Sequence, residues 1–426
     1  MDTSEVETTT CCIVGCGPAG AMLGLLLARS GIDVLVLEKY PDFLRDFRGD
    51  TIHPSTLQVL DELGLGAAFA RLPQQKTTSL TLVTDAGTTT LGDLTALPGR
   101  FRYISMVPQW DFLNFLTGVA AGCPGFRLRR EAEAFDVVVE DGVVRGVRYR
   151  TADGIREVRA PLTVACDGRH SAVRRAAGLR AVDFGAPMDA LWYRVRKEES
   201  DPSGTFGRLA PGRLFPMIDR RTYWQGAYVM PKGAFPQLKA RGIGALHAEL
   251  RRYLPFLGDR VEEIRGWDDV GFLEVRVDRL ERWYRDGLLC LGDAAHAMSP
   301  IGGVGINLAI QDAVAAANVL VRPLRAGTLS RRHLAAIQRR RRYPTVMTQR
   351  LQLLMQRRMI SPLLESAGAA EFPPRGLRVL LRVPLVGRIG TRLVARALAI
   401  GFRPEHVRTP AIHSGLVGTP PAMGAL

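Results

Sequence analysis

Residues 11–20 read CCIVGCGPAG, and this stretch decides the fold. An apolar run ends there in the spacing G-x-G-x-x-G, with Gly15, Gly17 and Gly20 at the glycine positions. An apolar helical pattern follows over residues 21–30, and a second short apolar run covers residues 34–37. A strand, a glycine turn, a helix and a second strand in this order predict a parallel α/β sheet of the doubly wound type.

The residues of this turn suit a dinucleotide. Gly15 permits a tight turn, Gly17 lets backbone N–H groups approach a pyrophosphate, and Gly20 lets the helix pack on the strand. The N-terminus of the helix adds partial positive charge. Glu38 ends the second apolar run eighteen residues after Gly20, where a carboxylate accepts hydrogen bonds from ribose hydroxyls. Such an acid disfavours a 2′-phosphate, so the turn predicts FAD or NAD rather than NADP at this site.

Another motif lies at residues 290–307, which read CLGDAAHAMSPIGGVGIN. The apolar segment 288–291 closes in a glycine–aspartate pair, and a Pro/Gly-rich turn leads from there into a helix. This arrangement suits the ribityl chain and ring of a flavin, and together with the upstream turn it favours FAD. The candidate cofactor-binding residues of this motif are Gly292, Asp293, Pro300, Gly302, Gly305 and Asn307.

The charge balance is strongly basic but says little about partners. The 426 residues carry a formal net charge of +15, which ordinarily suggests nucleic acid or a membrane surface. Five of the 57 basic residues are lysines and the rest are arginines, beside abundant Ala, Gly and Leu, a bias typical of GC-rich codon usage. The arginine run 339–342 is interpreted as a solvated helix face, since no nucleic-acid reader motif accompanies it.

The six cysteines indicate a reducing compartment. They stand at positions 11, 12, 16, 123, 166 and 290, with no C-x-x-C and no metal-ligand spacing, so we expect buried thiols and no metal. The first ten residues lack the basic and apolar regions of a signal peptide. No apolar run reaches the roughly 20 residues of a membrane span. The sequence therefore predicts a soluble, cytoplasmic protein.

The segments between the motifs complete the predicted architecture. Residues 136–159 alternate in polarity around two Asp-Gly turns, which predicts an antiparallel meander. A buried strand at 162–166 then runs into Asp167 and Gly168. Short aromatic-rich strands follow between about residues 182 and 272, and a helical stretch at 333–359 is interrupted near Pro344.

The expected fold class is α/β, a Rossmann-like FAD-binding domain with an inserted antiparallel β-meander, plus a β-sheet substrate domain and a helical C-terminal segment. The FAD-binding domain is discontinuous and takes residues 1–75, 100–181 and 273–370. The substrate domain takes residues 76–99 and 182–272, and the C-terminal segment takes residues 371–426.

With three separated blocks in order, the chain resembles the single-component flavin aromatic hydroxylases, the class of 4-hydroxybenzoate hydroxylase. The resemblance covers residues 11–55, 109–175 and 288–320. It implies that Glu38 holds the adenosine ribose and that Arg48 lies at the pyrophosphate side, near the NADPH. It also implies that Gln109 contacts the sugar chain of the flavin, and that Asp167 and Gly168 belong to a motif for FAD and NADPH, which continues toward NADPH at His170 and Arg174. By the same resemblance, Asp293 binds the ribityl chain and residues 300–307 pack along the isoalloxazine.

The resemblance also implies an activity. Members of this family use NADPH or NADH and O2 to hydroxylate a phenolic or other electron-rich aromatic substrate through a flavin hydroperoxide. The cofactor carries that chemistry, which fits a chain without a metal motif or a nucleophile elbow. No second G-x-G-x-x-G is present for NADPH, as expected in a family whose nicotinamide binds transiently. The substrate, the choice between NADH and NADPH and the oligomeric state are left open.

Two other functions share the same cofactor fold. A flavin-dependent halogenase receives reduced flavin from a partner, but residues 224–231 read WQGAYVMP and lack the W-x-W-x-I-P of halogenases. An FAD-linked reductase without oxygen insertion has the same motifs, because oxygen reactivity depends on the pocket. Both stay open as alternatives to the hydroxylase.

Several residues have two interpretations each. His53 and His296 are candidate proton relays at the flavin edge, or structural hydrogen bonders. Seven residues of the aromatic-rich strands either pack against a substrate ring or belong to the ordinary core: Trp192, Tyr193, Phe215, Met217, Tyr223, Trp224 and Tyr228. The tail 377–400 interleaves Leu and Val with Arg, so it either caps the active site or lies on an anionic membrane, and its lack of Trp favours the cap.

Overall fold

A six-stranded sheet forms the centre of the molecule. The computed structural model describes residues 6–44, 51–85, 87–365 and 393–411. The strand order is Tyr284–Arg285, Leu288–Cys290, Leu162–Ala165, Cys11–Val14, Val34–Leu37 and Phe126–Arg129. All neighbours run parallel except the first pair, which is antiparallel. The predicted Rossmann-like α/β class is confirmed.

The central strands are apolar along their whole length because both faces of the sheet are covered. Cys11–Val14 and Val34–Leu37 are buried at every position. Side chains at 11 and 13 point into a core shared with the helices Pro18–Arg29, Gln109–Ala121 and Gly305–Arg325. Those at 12 and 14 point into a second core on the other face. The domain is therefore a three-layer structure.

The meander predicted between the motifs forms the third layer. Its strands are Glu133–Glu140, Val143–Thr151 and Gly154–Arg159, and Glu7–Thr8 pairs in parallel with the last of them. Asp141 and Gly142 have φ values of 49° and 78°, as the tight hairpin turn of an Asp-Gly pair requires. Alternate residues of these strands therefore face the central sheet.

A seven-stranded sheet forms the second lobe. Its order is Gly271–Leu273, Met188–Arg196, Tyr223–Pro231, Arg213–Asp219, Phe206–Ala210, Ser79–Thr84 and Gly87–Asp93. The helices Phe235–Ala240 and Ile243–Tyr253 and the 3-10 segment Pro255–Glu263 cover one face. Residues 182–272 were interpreted as strands alone, which was wrong for the helical segments between residues 235 and 263. In the second of these helices, Leu246 and Leu250 recur at helical spacing on the buried face.

The remaining elements connect the lobes. A three-stranded sheet is formed by Thr51–Ile52, Ile104–Met106 and Gln75–Thr77, and a pair by Ala181–Asp183 and Asp278–Leu280. The other helical elements are Pro54–Glu62, Gly66–Phe69, Ala172–Ala176, Trp267–Asp269, Gly292–Ala294, Ile301–Gly303, Arg331–Met355, Gln356–Ile360 and Ser361–Glu365.

The predicted interruption at Pro344 was wrong, because Arg331–Met355 is one helix. Pro344 lies on the buried face of this helix, and the hydroxyls of Thr345 and Thr348 donate to the carbonyls four residues earlier. Tertiary packing of this face therefore outweighs the one backbone hydrogen bond that proline removes.

The C-terminal part described by the structure is a short helix at residues 393–399 and a strap at 400–411. Ala395 and Ala399 pack into a small apolar cluster with the second lobe. Most of the predicted basic tail, with Arg378, Arg382 and Arg388, lies outside the described residues. The segment 301–325 is long and apolar enough to cross a membrane, but 83% of its most apolar window is buried within the fold, as in a core helix.

Candidate active site

The glycine turn after the first strand is shaped by close backbone contacts. A Cβ at Gly15, which has a φ of 93°, would lie 2.5 Å from the carbonyl oxygen of Cys166, and a Cβ at Gly20 would lie 2.0 Å from that of Gly15. Gly17 differs from both, because no heavy atom of the described chain lies within 4 Å of its Cβ position. Gly15 and Gly20 thus serve packing, whereas Gly17 faces open space at the start of the helix.

Glu38 lies directly behind this turn. Its carboxylate is buried, and it accepts hydrogen bonds from the backbone N–H groups of Cys16 at 2.9 Å and Tyr40 at 3.1 Å. The carboxylate therefore fixes the glycine turn to the end of the second strand. Its contact with a ribose stays a prediction.

Asp167 and Gly168 lie against the same turn. A Cβ at Gly15 would be 2.8 Å from the Cα of Asp167. Asp167 accepts a hydrogen bond from the backbone N–H of Val173 through Oδ2, while its buried Oδ1 has no partner among the described residues. Burial raises the pKa of Asp167, and hydrogen bonds from Ser171 and the local backbone offset part of the rise. A buried acceptor without a donor beside a glycine turn suits a hydroxyl-bearing ligand.

The Gly292–Asp293 pair approaches the glycine turn from residues 290–307, the third motif in chain order after the glycine turn and Asp167-Gly168. Gly292 has a φ of 57°, and its Cβ position lies 3.3 Å from the methyl groups of Ala19 and Ala309. The pair thus touches the first turn of the dinucleotide helix. Asp293 is partly exposed and lies 3.2 Å from a guanidinium nitrogen of Arg169. This ion pair joins the second and third motifs.

Arg169 was not among the predicted cofactor residues, although it follows Asp167-Gly168 directly in sequence. Arg169 also donates to the carbonyl of Glu274. Arg174 is buried, donates to the carbonyl of Ala294 and pairs with Asp278 at 3.2 Å. Arg174 therefore holds the two motifs together, and the resemblance alone had placed it toward NADPH.

The Pro300–Gly305 turn packs on the short C-terminal helix at residues 393–399 and on Thr51. Gly302 has a φ of 76°, and its Cβ position lies 3.0 Å from the Leu398 side chain. The Cβ position of Gly303 lies 2.3 Å from Oγ1 of Thr51. Side chains at either glycine would displace these neighbours, so the turn has one close-packed conformation.

Asn307 connects this turn to residues 51–56 by hydrogen bonds. Its Oδ1 accepts from the backbone N–H of His53 at 2.8 Å and from the hydroxyl of Thr56 at 2.7 Å. Its Nδ2 donates to the carbonyl of Thr51 at 3.0 Å. Three hydrogen bonds of one amide therefore connect two of the sequence blocks. The packing of this loop along an isoalloxazine stays a prediction.

His53 is fully buried at the same junction. Its Nδ1 lies 2.9 Å from the carbonyl oxygen of Leu398, and its Nε2 has no hydrogen-bond partner in the described chain. Burial lowers the pKa of His53 to about 4, although the bond to the Leu398 carbonyl raises it. The ring is therefore neutral at physiological pH and couples the C-terminal helix to the turn.

A buried charge network supports the Gly292 loop from behind. Asp312 accepts from the Gly292 backbone at 3.3 Å and lies 2.7 Å from Nε2 of His296 and 2.8 Å from Nε of Arg341. Arg341 also lies 3.6 Å from Glu405 in the C-terminal strap. Burial alone would raise the pKa of Asp312, but its attraction to and hydrogen bonds with His296 and Arg341 hold that pKa below its usual value.

This network corrects one prediction and bears on another. The arginine run was interpreted as a solvated face, but Arg341 has 1% of its side chain exposed. Position 341 falls on the inner face of its helix, with 344, 345 and 348. His296 makes the hydrogen bond expected of a structural histidine.

Two predicted cofactor residues, Arg48 and Gln109, remain to be placed. Arg48 lies outside the described residues. Gln109 is the first residue of the helix Gln109–Ala121 and is half-buried. Two positions further on, burial raises the pKa of Asp111, and Arg220 of the second lobe lowers it in part. The helix therefore begins where the two lobes meet.

The aromatic-rich strands present two different faces. Tyr193, Phe215, Met217, Trp224 and Tyr228 point into the core under the covering helices. For these five residues the core-packing interpretation is correct, because neighbouring residues of a strand alternate between the faces.

The opposite face carries Trp192 and Ile218, which pack with Leu94 and Leu97 in an apolar cluster that we call the pocket wall. Ala395 and Ala399 pack against it. The same short helix supplies Leu398, which touches Gly302. The pocket wall and the Pro300–Gly305 turn are therefore two surfaces joined by one helix.

The residues of this region fit FAD. The open face at Gly17 lies at a helix N-terminus, which favours a phosphate. Asp167 offers a buried unpartnered acceptor and Asp293 a partly exposed carboxylate, which suit sugar and ribityl hydroxyls. No group of three or more His, Cys, Asp or Glu side chains suited to a metal ion occurs in the described part of the chain. Contacts place Gly15, Gly20, Glu38, Asp167 and Gly292 around the first glycine turn, and Asp293 pairs with Arg169 beside it. Gly302 and Asn307 form a second group around His53 and Leu398.

Comparisons with known proteins agree with this geometry. The family model described as an FAD binding domain matches residues 7–351. The 6-methylpretetramide 4-monooxygenase of Streptomyces rimosus is 34% identical over 415 residues, which cover 96% of each chain. Digeranylgeranylglycerophospholipid reductase 2 of Methanothermobacter thermautotrophicus is 28% identical over 77% of this chain and 82% of its own. The anhydrotetracycline hydroxylase OxyS of Streptomyces rimosus has the same fold, with a TM-score of 0.73 and 24% identity over 92% of this chain and 76% of its own.

The match to the family model spans most of the chain, and the similarity to the monooxygenase of Streptomyces rimosus spans nearly all of it. The FAD cofactor and the enzyme class expected from the sequence are thereby confirmed. This chain belongs to the FAD-binding domain family, among the flavoprotein monooxygenases of the aromatic hydroxylase type.

Proposed function

We propose that this protein is a cytoplasmic monooxygenase that uses FAD, NAD(P)H and O2 to hydroxylate a phenol with fused aromatic rings. The observation that carries the proposal is the junction between the Pro300–Gly305 turn and the pocket wall. One short helix touches both, through Leu398 on one side and Ala395 and Ala399 on the other. A flat, apolar substrate between them would lie against the flavin ring and away from bulk water.

The chain contributes positions and electrostatics to this reaction. FAD, when bound, accepts a hydride from NAD(P)H and activates O2, and the protein supplies binding and orientation. Gly17 and the helix that follows it would receive the pyrophosphate, and Asp293 the ribityl hydroxyls. In this proposal residues 76–99 and 182–272 form the substrate-binding lobe, which presents the pocket wall.

Fused rings are the favoured substrate class for two reasons. The pocket wall is made of large apolar side chains, which bind flat hydrocarbon surface better than a single charged ring. The relative matched along 96% of its length is named for a 4-monooxygenation of 6-methylpretetramide. A reductase that does not insert oxygen is the second candidate, favoured by the similarity to digeranylgeranylglycerophospholipid reductase 2.

Anaerobic stopped-flow reduction of the FAD-loaded protein tests the proposal. NADPH and NADH are each mixed with the protein, with and without a panel of single-ring and fused-ring phenols, and flavin absorbance is followed near ~450 nm. We expect fused-ring phenols to accelerate reduction by at least about tenfold, because a bound substrate orders the closed site. Reduction that is fast and indifferent to every phenol would instead support the reductase.

Two variants make this measurement specific to the pocket wall. Trp192→Leu removes the aromatic ring of the pocket wall, and we expect it to abolish most of the acceleration. Phe272→Leu is the matched control, since Phe272 is 45% exposed on the paired edge strand. Equal responses of the two variants would contradict the placement of the substrate at this wall.

A further inference from the structure

A cleft outside the flavin region is lined by a concentration of positive charge. It has a volume of about 600 Å³ and lies between the helix Arg331–Met355 and residues 279–284. Five guanidinium groups and one carboxylate line it: Arg279, Arg282, Arg339, Arg342, Arg350 and Glu281. This size falls within the range of small-molecule sites.

Helical geometry explains why three of these arginines share one face. Positions 339, 342 and 350 fall on one side of the helix, because residues three, four, seven or eleven apart lie close to one line. The opposite side carries the buried residues 341, 344, 345 and 348. The arginine run 339–342 is therefore divided between the interior and the cleft.

Among the described residues, the cleft arginines have no acidic partner, unlike their neighbours Arg340 and Arg341. Arg340, one residue from the cleft face, is paired with Glu405. Within the described chain, Arg282, Arg339, Arg342 and Arg350 form no ion pair or hydrogen bond. Arg279 donates one hydrogen bond, to the neutral side chain of Gln349. Burial, and then repulsion by Arg342 and Arg350, lower the pKa of Arg279.

An uncompensated cluster of this kind favours an anion. Like charges gathered around one concave space repel each other, and a bound anion would remove that repulsion. The planar guanidinium matches the oxygens of a phosphate with paired hydrogen bonds. Tyr284 and Tyr343 also line the cleft, and the second of them is 55% exposed. Their rings offer a surface for the rest of an organic phosphate.

The cleft is separate from the glycine turns but is connected to the third motif. Leu280, next to Arg279, donates its backbone N–H to the carbonyl of Ala295 at 2.8 Å. Gln349, the partner of Arg279, donates to the carbonyl of Ala297 at 3.1 Å. The floor of the cleft is thus the reverse side of the segment that follows Asp293.

We propose that this cleft binds a diphosphate group, carried by a free nucleotide or by an isoprenoid. Five guanidinium groups around one cavity match a ligand with two adjacent phosphates better than they match a single carboxylate. The proposal rests on the cleft alone and does not depend on the proposed monooxygenase activity.

Isothermal titration calorimetry of the full-length, FAD-loaded protein with inorganic pyrophosphate tests this site. The cleft variant is Arg342→Glu/Arg350→Glu, and the matched control is Arg332→Glu/Arg357→Glu, which makes the same charge change at exposed positions outside the cleft. We expect one saturable site, weakened at least about tenfold in the cleft variant and much less in the control. The single variant Arg282→Ala gives a second test should the double variant misfold.

Competition then identifies the source of the diphosphate. Displacement of pyrophosphate by ADP supports a nucleotide, and displacement by geranyl diphosphate supports an isoprenoid; either result supports the site. The absence of saturable pyrophosphate binding would overturn the proposal. Equal weakening in the cleft and control variants would overturn it as well, because the attraction would then belong to the net charge of the protein.

Discussion

Replacing Arg341 with methionine should lower the free energy of unfolding by about 3–5 kcal/mol. The substitution keeps most of the side-chain volume but removes the cation between Asp312 and Glu405. Both carboxylates are about 1% exposed or less, so water cannot replace the lost partner. Glu405 keeps its pair with Arg340, whereas Asp312 keeps only its contacts with His296 and the Gly292 backbone. A buried carboxylate that has lost its cation is far more costly than the intact pair is favourable. Urea unfolding of the FAD-loaded protein, followed by circular dichroism, measures the change.

Arg342→Met is the matched control for this substitution. Arg342 is exposed and without an ion pair among the described residues, so its replacement should change stability by no more than about 0.5 kcal/mol. Asp312→Asn added to Arg341→Met should recover part of the loss, because it removes the buried charge that has lost its cation. Equal effects of Arg341→Met and Arg342→Met would contradict the buried network.

Replacing Gly17 with valine should weaken FAD binding by about 100-fold, or about 2.7 kcal/mol, while leaving the fold intact. Gly17 has a φ of −71°, which any residue adopts, and the described chain leaves 4 Å around its Cβ position free. We propose that this free space is where the pyrophosphate approaches the helix N-terminus. A branched side chain would occupy it and displace the ligand.

Titration of the flavin-free protein with FAD, followed by quenching of flavin fluorescence, measures this affinity. Gly118→Val is a suitable control, because Gly118 also has free space around its Cβ position and lies within the helix Gln109–Ala121. The control should bind FAD as the unsubstituted protein does. An unchanged affinity in Gly17→Val would show that the pyrophosphate does not pass over this residue.

The fold around the cofactor was predictable because its local signals agree with each other. The first glycine turn, the apolar strands at 11–14 and 34–37 and the Asp-Gly hairpin all have short-range physical causes. The same is true of Gly15 and Gly20, whose missing side chains allow the backbone contacts seen in the structure. Sequence patterns of this kind depend on neighbours within a few residues.

The predictions that were wrong failed because the structure there depends on residues far apart in the sequence. The burial of Arg341 depends on Asp312, 29 residues earlier, and on Glu405 in the strap. Asp312 is a lone acid within an apolar helix, and this pattern could have indicated a buried charge pair from the sequence. Five of the seven aromatic-strand candidates form the core because helices that the sequence pattern did not reveal cover that face. Which face of a strand meets which layer is decided by tertiary packing and not by composition.

Oxygen labelling tests directly whether the protein transfers an oxygen atom from O2 to a phenol. The FAD-loaded protein is supplied with NADPH, ¹⁸O2 and the fused-ring phenol that most accelerates flavin reduction, and the product is analysed by mass spectrometry. The proposed monooxygenase activity predicts one ¹⁸O atom in each hydroxylated product, with none from water, because the transferred oxygen comes from O2. A product without ¹⁸O, or NADPH oxidation that yields only hydrogen peroxide with every phenol that accelerates reduction, would contradict it.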